Sequence, residues 1–217
     1  LKIVSISDTH GYHRRIKEIP DADVLIHAGD ITGRGEIHIL QDFGEWLKEL
    51  PHAHKIIIAG NHDFSLEREG SQKKEIIKFF KECGVTYLQD SSVEIDGVLF
   101  YGAPWQPEFY NWAFNLPRGK ALAEKWAMIP DNVNVLITHG PPYQILDEAP
   151  RGVFQVENIG CKDLLERALE LTHLRAHVFG HCHNGAGVFE DYGVKYINSC
   201  ICNEKYQPIN PPRIFEI

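Results

Sequence analysis

A chain of 217 residues, 43% hydrophobic and 24% charged, has the length for one domain with a sizeable core and the composition of an ordinary soluble globular protein, which excludes a disordered one. Its formal net charge of −8 argues against sequence-independent binding along DNA or to an anionic membrane, both of which need a basic surface. A small anionic substrate stays open, because bound divalent cations reverse the sign of a site locally.

The chain alternates from its start. Lys2–Ser7 reads as a strand running into Asp8-Thr9-His10-Gly11, and Val24–Ala28 as a strand buried on both faces that ends in Gly29-Asp30. Glu36–Leu50 carries Ile39, Leu40, Phe43, Trp46, Leu47 and Leu50 at helical spacing, stopped by Pro51. Lys55–Ala59 is the next buried strand, ending in Gly60-Asn61-His62-Asp63, and Ser71–Cys83 a second amphipathic helix stopped by Gly84. This β-α-β-α-β-α order implies α/β architecture with parallel strands and right-handed crossovers. Short strands follow at Val85–Leu88, Ser92–Ile95 and Val98–Tyr101, the last two joined by the hairpin dipeptide Asp96-Gly97. The stretch Ala103–Gly119 has no period but is rich in aromatics (Trp105, Phe109, Tyr110, Trp112, Phe114), which marks it as a functional or packed loop. Lys120–Met128 reads as a helix, Val133–Thr138 as a buried strand ending in His139-Gly140, 143–160 as irregular loop, Cys161–Leu171 as a helix, and Ala176–Phe179 as a strand ending in Gly180-His181-Cys182-His183. The tail is mostly short strands at Val188–Phe189, Val194–Ile197 and Ile214–Ile217. No repeat or linker divides the chain, so a single domain over 1–217 is expected.

The five cysteines, Cys83, Cys161, Cys182, Cys200 and Cys202, are too few and odd in number for a disulfide framework and point to a reducing, cytoplasmic compartment. Cys200 and Cys202 lack a second pair nearby and are read as buried thiols. No apolar run approaches the roughly 18 residues of a membrane span. With a strand from Lys2 and a motif at Asp8, the sequence leaves no room for a signal peptide, although it starts at Leu1, as a chain with a leader removed would.

Buried strands thus end, one after another, in potential metal ligands: Asp8 and His10; Asp30; Asn61 with His62 and Asp63; His139; His181 and His183. Each alone is ordinary, since Asn61 suits a turn and a strand-end histidine is often only a satisfied polar group. The His-x-His at 181–183 is the strongest local signal, because residues two apart in an extended segment point the same way. All lie where open α/β sheets gather ligands, at the carboxyl ends of strands. The donors are nitrogen and oxygen without thiolate, which suits Mn²⁺, Fe or Zn²⁺ better than a structural zinc site.

The order Asp8-x-His10, Gly29-Asp30, Gly60-Asn61-His62-Asp63, His139-Gly140 and Gly180-His181-x-His183 resembles the calcineurin-like binuclear metallophosphoesterases, over residues 8 to 183. Tyr101–Trp105, Phe114–Gly119, Thr138–Pro142, His177–Gly180 and Asn210–Phe215 are similar to the metallophosphoesterase-domain-containing subgroup, which has cyclic nucleotide phosphodiesterase activity. Animal members of that subgroup carry glycine where this chain has His181, so the chain resembles the fully equipped form. The resemblance implies a four-layer α/β-β-α sandwich, with two mixed sheets face to face and helices outside. It also implies two divalent cations, one held by Asp8, His10, Asp30 and His183 and the other by Asp30, Asn61, His139 and His181, Asp30 bridging. Such a pair lowers the pKa of a water held between the ions and clamps phosphate oxygens.

His62 then becomes the candidate general acid, with Asp63 accepting from its other ring nitrogen. Arg118 and Trp105 are candidate contacts to substrate phosphate and base. The activity expected is hydrolysis of cyclic nucleotides or similar small diesters. The alternatives are a phosphomonoesterase or nuclease on the same centre, or a low-turnover nucleotide-binding or scaffold protein. The expected partner is the small substrate alone, with no membrane and no long nucleic acid.

Overall fold

In the computed structural model, which describes residues 1–151 and 155–217, the elements in chain order are β1 (Lys2–Ile6), β2 (Val24–Ala28), α1 (Ile37–Glu49), β3 (His54–Ile58), α2 (Phe64–Glu67), α3 (Ser71–Glu82), β4 (Thr86–Tyr87), β5 (Ser91–Ile95), β6 (Val98–Ala103), β7 (Gln106–Pro107), β8 (Asn115–Leu116), α4 (Lys120–Trp126), β9 (Val135–Thr138), β10 (Glu148–Arg151), β11 (Gln155–Asn158), α5 (Lys162–Glu170), β12 (Ala176–Phe179), β13 (Gly187–Asp191), β14 (Val194–Asn198) and β15 (Arg213–Glu216). Two mixed sheets carry the fold. One is five-stranded in the order β15-β1-β2-β3-β4, the other six-stranded in the order β13-β14-β12-β9-β6-β5. Strands β1 to β4 are mutually parallel with β15 antiparallel at the edge. In the second sheet β14, β12, β9 and β6 are parallel, and both edge strands, β13 and β5, run antiparallel.

Period-2 alternation sorts these strands' side chains into layers. Val24, Ile26 and Ala28 of β2 meet Val135 and Ile137 of β9 and Ala176 and Val178 of β12 in a core between the sheets. Leu25, on the opposite face of β2, joins Leu40, Phe43 and Leu47 of α1 and Ile76 and Phe80 of α3 outside the first sheet. Leu136 of β9 joins Leu122 and Trp126 of α4 and Leu164 and Ala168 of α5 outside the second. The expected α/β-β-α layering is therefore the one found.

Local departures have identifiable causes. Within 143–160, expected as irregular loop, β10 and β11 form an antiparallel hairpin; its described side chains are largely solvent-facing, so no hydrophobic period announces it. The aromatic loop contains the small parallel pair β7–β8. Helix α2 spans a single turn, too short for a period.

At the contact between α1 and α3, a Cβ on Gly44 would come within 2.6 Å of a Phe79 ring carbon. Helix propensity alone makes Gly44→Ala stabilising by about 1 kcal/mol. Overpacking makes it destabilising by roughly 1–3 kcal/mol, and that is the expected outcome in urea unfolding, with Phe79→Leu restoring part of the loss.

Candidate metal centre

The strand ends converge because the backbone ladder continues past the strands. Asp8 donates its N–H to the Gly29 carbonyl and His10 its N–H to that of Asp30, while Gly180 donates to the His139 carbonyl. Ser7 bridges to Cys200 across the seam between the two sheets. This brings Asp8, His10, Asp30, Asn61, His139, His181 and His183 to one place, and their ligand atoms fall into clusters: Asp8, His10 and His183 on one side, Asp30, His139 and His181 on the other, and His10, Asp30 and His62 between. Asp30 joins the two sides. Its Oδ1 lies 3.3 Å from His139 Nε2, and its Oδ2 3.9 Å from both His10 Nε2 and His62 Nε2. Asn61 Oδ1 lies 2.8 Å from both His139 Nε2 and His181 Nδ1.

Backbone carbonyls fix the histidine tautomers. His10 Nδ1 faces Thr32 O at 3.3 Å, His139 Nδ1 faces Ala28 O at 3.0 Å, and His183 Nδ1 faces Asn203 O at 2.9 Å. A carbonyl only accepts, so each Nδ1 carries a proton and each Nε2 is the nitrogen directed at the centre, free to ligate a cation once its own proton is gone. His10 Nε2 and His183 Nε2 stand 3.3 Å apart, close enough for one ion to take both. The donor set of imidazole nitrogen, carboxylate and amide oxygen fits a pair of hard or borderline divalent cations.

Glycine makes room for the carboxylates. A Cβ on Gly180 would collide with Asp8 Oδ2 and Ser7 Oγ, and one on Gly60 with Asp30 Oδ1. The backbone at Asp8 (φ 52°), His10 (φ 44°), Asp30 (φ 58°) and His181 (φ 69°) is left-handed. That conformation is uncommon outside glycine and concentrates at functional sites.

The charges balance internally. Burial would raise the Asp8 and Asp30 carboxyls, but His183 beside Asp8 and His139 beside Asp30 hold both below the ordinary carboxylate range. Burial pushes His10 down to about 4 and His181 to about 3, which favours the neutral, ligating ring. His139 is driven the other way: burial lowers it, yet the facing Asp30 brings it up to about 9. It supplies the positive charge that Asp30 needs, a charge a cation would also supply. Asp8 additionally accepts from the His181 N–H, Ser7 Oγ and the Cys200 thiol at 3.0 Å. That thiol, one of five that are buried and free, is a contact that cysteine spacing alone did not reveal.

Several expected roles move. Asp63 does not orient the His62 ring. It is fully buried and accepts from the Ile31, Thr32 and Gly60 N–H groups and the Thr32 hydroxyl, tying two strand-end loops together. Burial and the nearby Asp30 push its carboxyl up to about 6. His62 Nδ1 instead meets the Gly33 carbonyl at 2.6 Å, leaving Nε2 toward the centre. Arg118 does not face the cleft: its guanidinium donates to the Gly160 and Ile159 carbonyls, both at 2.7 Å, and so braces the loop after β11. Trp105 donates to Asp90 at 2.6 Å, lies under the Lys125 ammonium and packs edge-on to Phe114. In both, the polar atoms are committed to other parts of the protein.

The aromatic loop does reach the centre, through other residues. Trp112 stacks on His62 with ring centroids 4.2 Å apart, and Phe109 meets His181 edge-on at 5.2 Å. Tyr206, from a tail segment with no signal in the sequence, meets His10 edge-on at 4.8 Å. These rings wall a cleft of about 250 Å³ that opens over Asp30 and His181.

Comparison with known proteins agrees with this geometry. Residues 1–185 match the family model described as calcineurin-like phosphoesterase. The human metallophosphoesterase domain-containing protein 1 is 42% identical over 234 residues, covering 100% of this chain and 71% of that protein. A UPF0046 protein of Caenorhabditis elegans is 36% identical over 241 residues, covering 100% of this chain and 60% of the relative. The crystal structure of TT1561 of Thermus thermophilus superposes with a TM-score of 0.61 at 14% identity, over 91% of this chain and 88% of that one, a likeness of fold alone.

Gly180→Ala tests how tightly the carboxylate is seated. Calorimetric titration is expected to show divalent-cation affinity falling by at least about tenfold. Gly70→Ala, where nothing lies within 4 Å of the added methyl, leaves it unchanged.

Proposed function

This chain belongs to the calcineurin-like phosphoesterase family, and we propose that within it the chain is a phosphodiesterase of small substrates, cyclic nucleotides foremost, working with two divalent cations, of which manganese is the first choice. A metal-dependent phosphoesterase is what the family makes it; the diester and the metal are our reading. The observation that carries this reading is the orientation of Asp30, whose two carboxylate oxygens face separate ligand clusters. The residues that would hold one cation are Asp8, His10, Asp30 and His183, and for the other Asp30, Asn61, His139 and His181. When bound, the pair supplies Lewis acidity toward a phosphoryl oxygen and makes water nucleophilic at neutral pH.

The chain's own residues account for the rest. Carbonyls of Thr32, Ala28 and Asn203 keep the imidazoles in the ligating tautomer. Because the Gly33 carbonyl requires a proton on His62 Nδ1, the proton His62 can give to a departing alkoxide is the one on Nε2, the nitrogen on the Asp30 side. Trp112 holds the ring by stacking on it, so that face of the indole is taken and closed to a nucleobase. Phe109 and Tyr206 are the rings left to contact the organic part of a substrate. The cleft's small volume suits a compact ester better than a polymer, as does the net charge of −8. The buried free cysteines support a reducing, cytoplasmic setting, and among the described residues no helix is long and apolar enough to cross a membrane.

Purified protein loaded with Mn²⁺ is expected to hydrolyse bis(p-nitrophenyl) phosphate, with loss of activity on chelation. Asp30→Asn is expected to lower the rate at least about a thousandfold; near wild-type rates would remove the centre from the reaction. His62→Gln separates acid catalysis from metal binding. It is expected to keep the cations and to lose on the order of a hundredfold on an alkyl leaving group but little on p-nitrophenolate, which needs no proton to depart. Equal losses on both would reject His62 as the acid.

A further inference from the structure

The walls of the cleft carry a charge pattern that the chemistry above does not use. Among the described lining residues there is no lysine or arginine, whereas Glu148, on the first strand of the β10–β11 hairpin, and Glu204, in the tail loop beside Tyr206, both line it. Neither carboxylate has an ion-pair or hydrogen-bond partner among the described residues. Two guanidiniums beside the cleft are engaged elsewhere: Arg118 holds the Gly160 and Ile159 carbonyls, and Arg34 lies over the Trp112 and Phe64 rings. Asp147, next to Glu148, is spent on the hairpin's root, where it accepts from the Gln144 and Gly160 N–H groups and the Asn158 amide. Glu148 therefore projects from a segment whose root is pinned beside the centre.

We propose that Glu148 and Glu204 form an electrostatic filter that sets diester over monoester preference: a singly charged phosphodiester enters, and a doubly charged phosphomonoester is held back. Any phosphate is drawn to the cationic centre, and each rim carboxylate opposes that attraction in proportion to the ligand's charge. The opposition is therefore twice as large for a dianion. Arginine or lysine is the usual partner for a monoester's second negative charge; beside the histidines of the centre, the described lining has neither and presents two acids. Phe109, Trp112 and Tyr206 line the same cleft and displace part of the water between these charges and a bound ester. This inference rests on the phosphoesterase reading of the centre.

The test compares binding of two unhydrolysable probes to the Mn²⁺-loaded protein by calorimetry. They are phenylphosphonate, a dianion at mildly alkaline pH, and its monomethyl ester, a monoanion. The wild type is expected to bind the ester better, relative to the dianion, than Glu148→Gln or Glu204→Gln does. Each substitution is expected to tighten the dianion by about three- to tenfold and the monoanion by less. The same ratio, read as kcat/KM on p-nitrophenyl phosphate against bis(p-nitrophenyl) phosphate, is expected to move in parallel, and added salt to shrink the difference. Both substitutions are near-isosteric at exposed sites, so the fold is retained. If both probes bind and neither substitution alters their ratio, the filter is overturned while the phosphoesterase reading stands. If neither probe binds the metal-loaded protein, both fall.

Discussion

A buried carboxylate at the meeting of two sheets is the constraint around which this molecule is arranged. Asp30 is 2% exposed and Asp8 fully buried, and an uncompensated buried carboxylate costs several kcal/mol. The fold offsets this from both sheets. The His62 N–H and His139 serve Asp30, while the His181 N–H, Ser7 and Cys200 serve Asp8. Glycines at 60 and 180 leave no side chain where those carboxylates lie, and left-handed backbone at four candidate ligand positions, each costing on the order of 1 kcal/mol or more, aims them inward. Hydrophobic residues in the same volume often stabilise a fold as much or more, so such an arrangement is better explained by the ions it could hold than by stability.

The same constraint explains what the sequence disclosed. Parallel strands buried on both faces are continuous apolar runs, so β2, β3, β9 and β12 and the residue types that terminate them were legible from pattern alone. The convergence of those termini follows from parallel pairing, which places every carboxyl end on one side. Residues whose role depends on a partner remote in sequence were not legible. Asp63 lies next to His62 in the chain yet turns to the Ile31 and Thr32 N–H groups. Arg118 and Trp105 are chemically apt for a substrate but find carbonyls and a carboxylate closer at hand. The β10–β11 hairpin is too exposed for its pairing to leave a hydrophobic period, and Tyr206 sits in a tail with no period at all.

The division between readable and unreadable residues is also a division of labour. The candidate ligands stand on strand ends, where the ladder and the cores on either side of each sheet hold them within a narrow geometry, as phosphoryl chemistry demands. The walls of the cleft, Phe109, Trp112, Glu148, Glu204 and Tyr206, come from loops and a hairpin outside those sheets. The hairpin is fastened at its root, by Arg118 and Asp147, so its outer side chains can change without disturbing the ligand cage. On our proposal, then, the hydrolytic step rests on the fold and the choice of ester on the segments laid across its edge. The aromatic loop joins the two. Its Ala113 N–H donates to the carbonyl of the candidate ligand Asn61, and Trp112 beside it stacks on the candidate acid, so a change in this loop acts on His62 as well as on the cleft.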